Sequence, residues 1–154
     1  MKNRTKLEHI RWVICCLLVF GSTGAKSHVE TPIQVIFPNQ ANIVPIWRED
    51  EKAKEIAIRT VHTDKQTSAH FVRLMGNEKP HYHDSHSLNV TVITGKATIH
   101  FKHKQIQLSP GDVIFIPSGT YHWAENMNTE ASVVFATFSP AFLGKDVRLA
   151  DEKN

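Results

Sequence analysis

Cysteine is nearly absent from this chain: Cys15 and Cys16 are the only two, side by side in one apolar run. Such a placement rules out a disulfide framework and leaves the rest of the chain no thiolate for catalysis or metal binding. No apolar run reaches the roughly 20 residues of a comfortable helical membrane span. Neither sign of charge dominates, with 18 Lys and Arg against 15 Asp and Glu. No basic stripe interleaved with aromatics appears, so a nucleic-acid partner is not expected. Internal repeats are also missing.

The one sharp composition shift is at the start. Lys2, Arg4, Lys6 and Arg11 stand against Glu8, followed by the apolar run from Val13 to Phe20 and the small residues Gly21 to Ala25. That is the pattern of an export signal, with cleavage expected after Ala25 and an uncleaved membrane anchor as the lesser alternative. Removing residues 1–25 takes away four basic residues and one acidic, leaving 14 of each in 129 residues, a normal size for one domain. The expected location is secreted or periplasmic.

Histidine is plentiful, at 10 residues, and it is clustered. In His81-Tyr82-His83 the two imidazoles lie two apart, so on an extended strand they share a face and can reach one ion. Neighbours on the same strand cannot surround the ion, and a further ligand has to arrive from elsewhere. His122 is the natural candidate: Gly111 begins a turn, Val113 to Ile116 reads as a short buried strand, Pro117 ends it, and a second turn at Gly119 returns the chain. The outlying His62, His70, His100 and His103 read as ordinary strand residues, with His100 facing outward.

The strand signals support this arrangement. Ile56 to His62 and Ser68 to Met75 flank a hairpin connection over Thr63 to Thr67. Leu88, Val90 and Val92 alternate on one face before a turn at Gly95-Lys96, and Ala97, Ile99 and Phe101 form the next inward face. Ile106 to Leu108, Val113 to Ile116 and Ser132 to Phe138 follow. Many short strands separated by turn residues predict an all-β barrel or sandwich. Before them, three prolines break residues 26–50 into short pieces, and Glu49 to Glu55 reads as a solvated loop or helical turn. After them, Pro140 and Gly144 mark a turn leaving the barrel, with Phe138 and Phe142 packing at its end.

The stretch from Gly76 to Asn126 resembles the cupin superfamily, whose two motifs run G-x5-H-x-H-x3,4-E-x6-G and G-x5-P-x-G-x2-H-x3-N. Gly111, Pro117, Gly119, His122 and Asn126 match the second at every spacing, and His81, His83 and Gly95 match the first. The resemblance implies a single cupin barrel, a double-stranded β-helix or jelly roll, over 56–140, with a signal peptide at 1–25, an N-terminal arm at 26–55 and a tail at 141–154. It also implies pairing into homodimers.

One departure matters. The position of the family's metal-binding glutamate, counted back from Gly95, holds Leu88, which binds no metal. Three readings follow: a triad of His81, His83 and His122; a fourth ligand from His86; or a local bulge that brings Asp84, Ser87 or His86 inward. The ion is a divalent transition metal, with Fe, Mn, Zn, Ni and Cu all compatible with imidazole. The expected function is an exported metal-binding protein with a small-molecule ligand. The alternative is a metal-dependent enzyme of dioxygenase or isomerase type. No catalytic residue is assigned; Tyr82, Asp84, Tyr121 and Glu125 lie near the motifs, and Tyr82 by strand parity faces away from the metal.

Overall fold

The computed structural model describes residues 33–150, so the export signal expected at 1–25 lies outside the described residues. Within them, a single helical turn, α1 (Glu49–Lys52), precedes ten strands: β1 (Ile56–Thr63), β2 (Ser68–Leu74), β3 (His81–Tyr82), β4 (Ser87–Thr94), β5 (Ala97–Phe101), β6 (Gln105–Leu108), β7 (Val113–Ile116), β8 (His122–Asn126), β9 (Ser132–Ser139) and β10 (Arg148–Leu149). They form two five-stranded antiparallel sheets, ordered β1-β2-β9-β4-β7 and β10-β3-β8-β5-β6. This is the all-β architecture expected from the strand pattern, in the jelly-roll form that the cupin resemblance implies.

The period-two alternation places the core. Leu88, Val90 and Val92 of β4 point inward against Ile99, Leu108, Ile116, Ala136 and Phe138, all buried. β7 corrects one expectation: it is an edge strand buried on one face only, with Ile114 and Ile116 inside and Val113 and Phe115 largely exposed. A short run of four apolar residues does not distinguish these cases, because partners on both faces are what bury a strand fully.

The turns follow their residues. Asp64 opens the β1–β2 hairpin by accepting the N–H groups of Gln66 (2.7 Å) and Thr67 (2.8 Å). Gly95 turns β4 into β5 with φ of +76°, and a Cβ there would lie 2.6 Å from Ser132 Oγ. The acidic run holds α1, whose Glu51 turns inward to bond Arg59 and the N–H of Arg48. Val35 and Ile43 bridge each other outside both sheets.

The segment after Pro140 does not leave the barrel. It crosses the end of it, stacks Phe142 on Phe138 with centroids 4.9 Å apart, and returns as β10 beside β3. The sequence signal of a turn was sound. What it lacked was the second half, because a two-residue strand carries no periodicity.

Candidate metal centre

His81 and His122 are directly paired across β3 and β8, so their side chains emerge on one face. His83, two residues after His81, shares that face. All three are buried, and one ring nitrogen from each lies within 4.8 Å of those of the other two.

The remaining ring nitrogens fix the tautomers. His81 Nδ1 donates to the carbonyl of Lys79 (2.7 Å), His122 Nδ1 to Thr120 (2.8 Å) and His83 Nδ1 to Asp146 (2.8 Å). With Nδ1 carrying the proton in each ring, Nε2 presents a lone pair. The Nε2 atoms of His81 and His83 are 3.3 Å apart, so two electron pairs face each other with no proton between them. An electron-pair acceptor at that point removes the conflict. Two nitrogens each about 2.1 Å from one ion stand about 3 to 4 Å apart, so this spacing suits a divalent transition metal.

Burial favours the neutral form of His83 and His122. Burial lowers the His122 pKa to about 4, against the raising effect of its bond to Thr120, with His81 and His83 lowering it further. Burial likewise lowers that of His83, opposed in part by the bond to Asp146. A neutral imidazole is the form that binds metal, so these shifts favour ligation near neutral pH.

His86 is placed differently. Its Nδ1 meets the carboxylate of Asp146 and its Nε2 lies 3.0 Å from the carbonyl of Ala141. Both nitrogens are thus engaged by oxygen atoms of the segment after Pro140, and its ring centroid is 6.5 Å from that of His83. Desolvation is the largest single influence on Asp146 and raises its pKa, but the hydrogen bonds from Ser85 and the His86 ring together outweigh it and hold the carboxyl well below the usual range.

Neither Asp84 nor Ser87 turns inward. Asp84 makes a two-pronged ion pair with Arg148 (2.6 and 2.7 Å), and Ser87 donates to Ser139 O (3.2 Å). β4 pairs regularly from Ser87 onward, and its irregularity lies between Val92 and Thr94. Leu88 fills the glutamate position as a buried core residue. Tyr82 packs against Tyr121 and under the Arg148 guanidinium (4.0 Å). Glu125 bonds His100 (2.7 Å), whose ring stacks on Trp123 at 3.8 Å. Asn126 ties down the following loop by donating to Asn128 O (3.1 Å) and Glu130 O (2.9 Å).

The sequence reading missed Glu78. Its N–H donates to Ala124 O (2.9 Å), its carboxylate accepts the Ala124 N–H (3.0 Å), and it lines the same cavity as the three histidines. Burial raises its pKa, with His81 and the Ala124 N–H pulling the other way. Glu78 precedes β3 and so has no strand parity to read. The only available signal was a carboxylate three residues before the first motif histidine.

The three histidines open on a cavity of about 270 Å³ inside the barrel, walled mainly by aliphatic side chains.

Comparison with known proteins agrees with this architecture. The cupin domain family model matches residues 70–138. An uncharacterized protein of Aquifex aeolicus (strain VF5) is 37% identical over 101 residues, which cover 66% of this chain and 83% of that relative. The structure of KdgF from Halomonas sp. is similar at a TM-score of 0.53 and 27% identity, over 56% of this chain and 81% of KdgF. An uncharacterized conserved protein with a double-stranded beta-helix domain from Klebsiella pneumoniae shares the fold, at a TM-score of 0.55 and 21% identity, over 71% of this chain and all of that one. With the complete second motif, the histidines of the first, the jelly roll and these relatives in agreement, the chain belongs to the cupin superfamily as a single-domain member.

Proposed function

We propose that this is an exported cupin that holds one divalent transition metal on Nε2 of His81, His83 and His122 and binds a small molecule beside it. The observation that carries the reading is the convergence of three Nε2 lone pairs whose Nδ1 partners are all committed to backbone carbonyls. Backbone partners of this kind orient metal-binding imidazoles. Three neutral ligands leave the ion's charge uncompensated, so the site favours an anionic, chelating group. Bound metal supplies Lewis acidity and positions for such a group. The chain's own contribution is to favour neutral His83 and His122, orient all three donors and line the cavity with apolar side chains.

Export rests on residues 1–25, where a basic start, a short apolar run and small residues follow one another. Recovery of the mature chain from the extracytoplasmic fraction, with its N-terminus at Lys26, tests that part. Co(II) titration tests the site: one equivalent is expected to give a saturable visible spectrum, absent in His81→Ala and His122→Ala. A spectrum unchanged by either substitution overturns the assignment.

Turnover is the second reading, and Glu78 is the observation that favours it. Burial shifts this carboxyl toward its protonated form beside the histidines, which makes it a candidate proton donor in the cavity. Glu78→Gln separates the two readings: metal and ligand binding persist in both, and only an enzyme loses rate.

A further inference from the structure

We infer that the ligand is a small chelating carboxylate with a hydrocarbon body, and that sugars and other polyhydroxylated molecules are excluded. The inference rests on the proposed metal site for the head and on the cavity wall for the body.

The wall is the decisive observation. Leu88, Val90 and Val92 of β4, Ile99 of β5, and Val134 and Ala136 of β9 all line it, and none carries a hydrogen-bonding side chain. Their backbone groups are engaged as well, because β4 lies between β7 and β9, and β5 between β6 and β8. Few polar groups remain. His70 is occupied at both nitrogens, by Thr60 Oγ1 (3.1 Å) and Ser68 Oγ (2.9 Å). Glu78 already accepts the Ala124 N–H with one oxygen. Lys79, exposed to solvent, is the one Lys or Arg among the residues bordering the cavity, a charge that suits a carboxylate head.

Size bounds the body. An apolar cavity of about 150 Å³ stays dry and accepts benzene, and this one measures about 270 Å³. A body of five to ten carbons is therefore in scale. Each methylene buried there adds about fourfold in affinity. Each hydroxyl buried without a partner costs about tenfold or more.

The test is a matched series on Co(II)-loaded protein, read by the cobalt visible spectrum: 2-oxobutanoate, 2-oxopentanoate, 2-oxohexanoate and 2-oxogluconate. The first three are expected to tighten by about fourfold per added methylene. 2-Oxogluconate, the hydroxylated six-carbon counterpart, is expected to bind at least about tenfold more weakly than 2-oxohexanoate. A flat series, or 2-oxogluconate binding equally well, overturns the inference. A second arm uses metal-free protein with toluene and ethylbenzene, followed through the methyl resonances of Leu88, Val90 and Ala136. Perturbation of these methyls where Co(II) fails to bind would sink the metal reading and with it the chelating head, while the hydrocarbon body would stand. Unperturbed methyls overturn the inference whatever the metal does.

Discussion

His81 and His122 face each other across β3 and β8 with ring centroids 4.5 Å apart, and each donates Nδ1–H to the carbonyl two residues before it. The site is thus held by a repeated local device as well as by strand pairing. His81 and His122 each bring their own orienting carbonyl, whereas His83 takes its carbonyl from Asp146, 63 positions further on.

Acid should destabilise the metal-free chain. Folding lowers the His122 pKa from 6.5 to about 4, so between those values the unfolded chain binds more protons than the folded one. Stability then falls as pH drops through that window. His70 and His83, also lowered by burial, act in the same direction. Thermal unfolding of metal-free protein from pH 7 to pH 4 is expected to show a falling midpoint, with a shallower fall in His122→Asn. A flat profile would show that these imidazoles are not buried as neutral groups.

His86→Ala separates the role of the segment after Pro140 from that of the metal. The substitution removes the partner of Asp146 and the contact to Ala141, so a loss of about 1 to 2 kcal/mol is expected, with metal affinity within about twofold of wild type. Urea unfolding and metal titration read the two effects independently. A large loss of affinity with unchanged stability would make His86 a ligand.

Gly95→Ala should be costly although it adds a single methyl. The position has positive φ, and the new Cβ would lie 2.6 Å from Ser132 Oγ and 2.9 Å from Ser132 Cα. Ser132 itself is pinned between Lys96 O and Asn126 Oδ1, both at 2.8 Å, so it cannot easily yield. A loss of about 2 kcal/mol or more is expected in denaturant unfolding. A neutral result would mean that the turn is able to rearrange.

Leu88→Glu returns a carboxylate to the family's position. Without metal it should destabilise by about 3 kcal/mol, because it replaces a buried aliphatic side chain with an ionisable one. With metal, the rise in unfolding midpoint should exceed that of wild type, since the carboxylate gains a partner. An equal rise in both proteins would show that the side chain does not reach the ion.

The sequence was most informative where period and punctuation coincide. Leu88, Val90 and Val92 alternate without interruption, and the β4–β5 turn carries its glycine, so strand, face and turn were legible together. His81 and His83 showed a shared face, and the motif spacing supplied His122. What escaped notice was contact without local pattern. Glu78 precedes its strand, and Asp146 sits in an irregular segment that reaches His83 and His86 across 63 and 60 positions. β7 was misjudged for the complementary reason: Val113 and Phe115 are apolar yet exposed, and composition alone does not reveal which face lacks a neighbour.

The most direct test is elemental analysis of untagged protein purified from its native compartment, beside His81→Ala and His122→Ala. The structure leads us to expect one transition metal per chain in the wild type and none in either variant, with all three proteins folded. Wild-type protein that stays metal-free after anaerobic reconstitution, or a variant that keeps full stoichiometry, would contradict the three-histidine site.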